Sequence, residues 1–96
     1  MRFEFDPVKD DKNRKNHGIS LTEAQSLWER NHVIIPAKNV AGENRSAILG
    51  QHRGNVYAAI FTQRQDVTRI ISCHRADKKL ERIYHAYLKR EKIETH

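Results

Sequence analysis

Cysteine occurs once in these 96 residues, at Cys73, so no intramolecular disulfide can staple the fold. Its setting in an apolar run makes it a buried, inert thiol rather than a nucleophile. No apolar run approaches the ~18 residues that a membrane-spanning helix needs. The N-terminal MRFEFDPVKDD carries acids and no apolar h-region, so the expectation is a cytoplasmic chain without a signal peptide. A glycine-rich phosphate loop, a GxSxG elbow and a dinucleotide fingerprint are all missing, which removes kinase, serine-hydrolase and dehydrogenase readings. The histidines at 17, 32, 52, 74, 85 and 96 are scattered, with no pair on one helix face. A single cysteine adds no cluster to them, so neither a metal site nor a cofactor is expected. Repeats, low-complexity tracts and linkers are absent too, and residues 1–96 read as one domain with a modest core.

What is present is charge, unevenly placed. The hydrophobic fraction is 38% and the charged fraction 31%, but the apolar residues fall in periodic runs that disordered chains lack. Residues 1–30 carry six Lys/Arg against six Asp/Glu; residues 31–96 carry twelve against six and hold the whole excess of +6. A basic half beside a neutral half implies a positive face. Its partner is RNA or DNA through phosphate contacts, an acidic protein, or water alone.

The elements follow from local chemistry. Phe3 and Phe5 alternate with Arg2 and Glu4, a short first strand. Asp6-Pro7 supplies an N-cap and a proline at the first helical position, opening a helix to about Asn16 that ends at His17-Gly18. That helix has almost no apolar residue besides Val8 and must lie on the surface. Ser20 to Glu23 match a capping box, with Leu21, Ala24, Leu27 and Trp28 on one face of a second helix to about Asn31. Val33 to Ile35 form a strand ended by Pro36, and residues 37–44 a loop. Strands over 45–51, 56–63 and 67–74, joined by short turns, predict an antiparallel meander, and a last helix runs from Asp77 to about Lys92. The fold class is a small α+β domain: N-terminal helices, antiparallel sheet, C-terminal helix.

The stretch 62–87 concentrates the cations, with Arg64, Arg69, His74, Arg75, Lys78, Lys79, Arg82 and His85 against Asp66, Asp77 and Glu81. Alternation along the last strand puts Val67, Arg69, Ile71 and Cys73 on one face and Thr68, Ile70, Ser72 and His74 on the other. Such a set suits metal-free RNA cleavage, in which a 2′-hydroxyl attacks the neighbouring phosphate. That step needs a proton acceptor, a proton donor and cations for the phosphorane charge. The planar arginine fork matches phosphate oxygens. His74 is a candidate acid or base, and Glu43, beside Arg45, is the other proton-transfer candidate. Each has a plainer role open to it: Arg69 as a snorkelling surface residue, Glu43 as a loop charge, Tyr84 as core packing between Leu80 and Leu88.

Three segments resemble a known family. FEFDPVKDDKNRKNHGISLTEA is similar to the opening of BrnT-type toxins, typically FEWDPxKxxxNxxKHGVSFxEA. GENRSAILG resembles their GExRxxxIG, and IFTQRQDVTRIISCHRADKKLERIY their YTxRxxxxRIISARRAxxxExxxY, so the likeness covers residues 3–84 in order. The resemblance implies a RelE-like fold and a type II toxin acting as a ribonuclease that inhibits translation. It further implies a BrnA-like antitoxin partner with a ribbon-helix-helix part, in a heterotetramer that meets operator DNA through the antitoxin. Carried over, Arg64 matches the TxR arginine, Arg75 the second arginine of SARRA, Glu43 and Arg45 the GExR positions, and Glu81 and Tyr84 the helical end. His17 and Gly18 match the KHG turn, a structural role. Phe5 replaces the tryptophan, and Cys73-His74 replace Ala-Arg, turning one cation into a titratable group.

Two readings result. The first is a metal-independent endoribonuclease with Arg64, Arg75, His74 and Glu43 at the reaction and Arg45, Arg69, Lys78, Lys79, Arg82 and Tyr84 on the RNA. The second is a non-catalytic basic module that binds an acidic protein or RNA. Saturation at one equivalent separates the binder from the enzyme, which turns over.

Overall fold

The β-branched runs and the turns between them build one five-stranded sheet with helices on both faces. The computed structural model describes residues 1–94; His96 lies outside them. The strands are β1 (Arg2–Glu4), β2 (His32–Pro36), β3 (Ser46–His52), β4 (Asn55–Arg64) and β5 (Val67–Arg75), and the helices α1 (Pro7–His17), α2 (Leu21–Ala24) and α3 (Lys78–Glu94). The sheet order is β1-β5-β4-β3-β2. The expected meander β3-β4-β5 is antiparallel, and β2 joins it in the same sense. β1 differs: it pairs in parallel with β5, Phe3 opposite Thr68. No hairpin ties the first strand to the last, so nothing local specifies that partner.

Both caps at the N-terminal end form as their residues dictate. Asp6 accepts the Val8 N–H at 2.9 Å, and Gly18 closes α1 at φ 74°, the left-handed region that a side chain resists. The Ser20–Glu23 capping box is complete in both directions. After it the chain departs from the expected helix to Asn31. One α-turn gives way to a 3₁₀ turn over Gln25–Trp28. Ser26 donates its hydroxyl to the Glu23 carbonyl at 2.9 Å, and the tighter turn lays the Leu27 backbone against Gly50. A Cβ at Gly50 would meet Leu27 at 3.3 Å, so the close approach depends on glycine there.

Two apolar layers flank the sheet. Ile19, Leu21, Ala24 and Leu27 pack on Ile48, Ala59, Phe61, Ile70 and Cys73. Trp28 stands edge-on between Phe3 and Phe61 at 5.0 and 5.1 Å. On the other face α3 packs on β2, β3 and β4, where Tyr84 joins Val33, Leu49, Val56 and Ala58. α3 thus packs mainly over β2, β3 and β4, and the candidate residues of β5 lie to its side.

A bulge decides which face of β5 each of them takes. Ile60 faces Ser72 while its neighbour Phe61 faces Ile70, so Ile71 is an extra residue on β5. The extra residue reverses the alternation beyond it. Thr68, Ile70 and Cys73 are therefore buried together, and Arg69, Ser72 and His74 share the opposite face. The strict alternation expected from the sequence, with Cys73 beside Arg69, holds only up to the bulge.

Candidate nucleic-acid interface

Fixed on the sheet, the candidate residues fall into two groups rather than one. The first group gathers where β4 ends. Arg64 donates to Glu43 Oε2 at 3.0 Å, and Arg45 donates to Glu43 Oε1 at 3.4 Å. The buried Thr62 hydroxyl holds the adjoining loop by donating to the Asn44 carbonyl at 3.0 Å. Hydrogen bonding from Arg64, and then from Arg45, keeps the Glu43 carboxyl below its ordinary range. Nearby, Arg69 pairs with Glu4 of β1 at 3.4 Å.

The second group stands at the far end of β5. His74 has its Nδ1 3.0 Å from the Arg75 carbonyl oxygen. Its ring lies 6.2 Å from that of His17, the last residue of α1, tilted by 55°. Arg75 turns to the other face and donates to Asn55 Oδ1 at 2.8 Å. Lys78, Lys79 and Arg82 follow as exposed residues in the first turns of α3.

Arg64 and Arg75 are thus not brought together. Arg64 pairs with Val67 and Arg75 with Tyr57, seven positions along β4. At ~3.3 Å per residue that is roughly 23 Å, beyond any shared phosphate. Tyr84 also stands apart from the surface: 3% exposed, it is packed in the α3 layer, and burial pushes its hydroxyl pKa up. Its ring has no face open for stacking on a base.

Sequence reasoning missed Asn13. It is the one buried residue of α1, and its side chain donates to the carbonyls of Ile19 and Cys73 at 2.7 Å each while accepting the Cys73 N–H at 3.1 Å. It completes the β5 edge beyond the reach of β1, as a neighbouring strand would. A lone polar residue on the docking side of a helix with almost no apolar contacts was the available signal.

Cys73 is fully buried, as its apolar run predicts. Burial pushes its thiol up to about 12. A disulfide reagent such as dithionitrobenzoate should therefore react at pH 8 only on unfolding, with a burst on adding urea.

A wider cavity of about 600 Å³ lies between the α2 turn and the β3–β4 hairpin, lined by Glu23, Ser26, His52 and Arg53 among others. It holds none of the residues assigned to the reaction or to RNA from the sequence. His52 Nε2, without a hydrogen-bond partner among the described residues, faces Glu23 Oε2 there at 3.7 Å. Among the described residues no group of three or more His, Cys, Asp or Glu is placed to hold a metal ion, and no helix is long and apolar enough to cross a membrane.

Residues 5–79 match the family described as "Ribonuclease toxin, BrnT, of type II toxin-antitoxin system". No curated protein matches the chain.

Proposed function

Because the chain belongs to the BrnT family of ribonuclease toxins of type II toxin–antitoxin systems, we propose that it is an endoribonuclease that needs no metal. The 2′-hydroxyl of RNA attacks the adjacent phosphate, and the cuts inhibit translation. A type II toxin implies a cognate antitoxin. In this reading that partner is BrnA-like, with a ribbon-helix-helix part, and covers the basic surface. The pair forms a heterotetramer that reaches operator DNA through the antitoxin. No cofactor is invoked.

The observation that carries the assignment of roles is the pairing of Glu43. A carboxylate that accepts from two arginines is a weakened base, and it holds the guanidinium forks in place. Glu43 is therefore the brace, with Arg64, Arg45 and Arg69 as backbone anchors, and proton transfer falls to His74. Arg75, Lys78, Lys79 and Arg82 extend the cationic tract toward α3. The RNA strand runs between the two groups along β5.

The test is incubation of the purified protein with RNA in EDTA, alone and with translating ribosomes, beside Glu43→Gln. Fragments ending in cyclic phosphate, formed by the wild type and at a similar rate by Glu43→Gln, are the expected result. A general base contributes ~10²–10⁴-fold, so a loss of that size in Glu43→Gln would return the base role to Glu43. RNA left intact under every condition, with saturation at one equivalent, would sink the enzyme reading in favour of the binding module.

A further inference from the structure

Resting on the ribonuclease reading above, we propose that His17 is the second proton-transfer group. His17 and His74 form an acid–base pair on one phosphodiester seated in the cleft between α1 and β5. The sequence gives His17 only the look of a turn residue before Gly18. The fold brings its ring to 6.2 Å from His74, across 57 positions of chain.

The cleft is built for an anion. Its volume is about 240 Å³, and its polar lining comes from Lys9, Lys12, Asn13, Asn16 and His17 on α1 and Ser72 on β5. No carboxylate lines it among the described residues. The acids of α1 are engaged elsewhere: Asp10 accepts from the Thr22 N–H and hydroxyl, and Asp11 pairs with Arg14 and Lys15. Glu4 of β1 is held by Arg69. Arg75, next to His74, is turned to Asn55, and the residue across from His74 on β4 is the uncharged Ala58. Two lysines and the His17 imidazole line the cleft without a competing acid, and the His74 ring, 6.2 Å from that of His17, approaches the phosphate from beside it.

The chemistry balances without a co-reactant. The Arg75 carbonyl can only accept, so neutral His74 carries its proton on Nδ1 and presents the Nε2 lone pair. That nitrogen takes the 2′-hydroxyl proton as the 2′-oxygen bonds to phosphorus. Protonated His17 gives its proton to the 5′-oxygen as the P–O5′ bond breaks. The products are a 2′,3′-cyclic phosphate and a 5′-hydroxyl, and one proton has moved from His74 back to His17 through solvent. Lys9 and Lys12 meet the charge that develops on the non-bridging oxygens.

The experiment measures cleavage of an RNA oligonucleotide in EDTA against pH for wild type, His74→Asn and His17→Asn. Binding of the same oligonucleotide with 2′-deoxy at the cut position is measured alongside. Neither ring is in the core, so melting temperatures should stay at the wild-type value and report folding directly. Expected is a loss of about 100-fold or more in kcat for each variant with binding retained. The bell-shaped profile should lose its rising limb in His74→Asn and its falling limb in His17→Asn. A 4-nitrophenyl ester of a nucleoside 3′-phosphate, whose leaving group needs no proton, should restore His17→Asn and not His74→Asn. Variants that keep rate and both limbs while the wild type cleaves overturn the pair and leave the ribonuclease reading standing. A rate loss with both limbs kept overturns it as well. A wild type that cuts nothing, with or without ribosomes, overturns the ribonuclease reading and the pair together.

Discussion

Asn13→Ala should lower the unfolding free energy by about 3–4 kcal/mol and the melting temperature by more than about 10 °C. The size follows from what the side chain satisfies. Its amide donates to the Ile19 and Cys73 carbonyls and accepts the Cys73 N–H, all buried. Alanine leaves those buried backbone groups without their side-chain partners, at ~1–3 kcal/mol for each unsatisfied group. α1 has no apolar face to compensate, since Val8 is exposed and Asn13 is its one buried residue. A small domain holds only ~5–15 kcal/mol in total, so a loss of this size is visible in any urea or thermal melt. Asn13→Asp should do no better, because a carboxylate cannot donate to two carbonyls. A shift below about 1 kcal/mol in both variants would mean that other contacts hold α1 to β5.

The triple variant Arg45→Ala, Arg64→Ala, Arg69→Ala should bind single-stranded RNA on the order of 50-fold more weakly at 0.15 M salt. The slope of log affinity against log salt should fall by roughly two units, at ~0.7 for each phosphate no longer neutralised. All three arginines are engaged in ion pairs with Glu43 or Glu4. Solvent-accessible pairs of this kind contribute little, and incoming phosphates can compete for the guanidinium forks. The fold should persist, since the Arg64, Arg69 and Arg45 side chains are 61%, 37% and 26% exposed and none belongs to an apolar layer. Fluorescence anisotropy over a salt series reads both quantities. An unchanged slope would place the RNA elsewhere, and the α1–β5 cleft and the start of α3 would be the next surfaces to neutralise.

Much of this protein was fixed by short-range chemistry. The caps at Asp6, Gly18 and Ser20, the Pro36 stop and the turns between β3, β4 and β5 depend on residues within a few positions of one another, and they form where their side chains require. The family likeness is of the same kind, carried by contiguous segments. So is the basic half of the chain, because charge is read by counting.

Tertiary structure decided the rest. The parallel partner of β1 is chosen across the whole chain. The bulge at Ile71 depends on how β5 meets β4, and one extra residue turns His74 to the side of Arg69. Helix α2 yields to a 3₁₀ turn because Leu27 must lie on Gly50. Above all, strand register sets distance: it parts Arg64 from Arg75 and brings His17 to His74. Residue types reveal which chemistry a chain can supply. Packing of a particular sheet decides which of those groups meet.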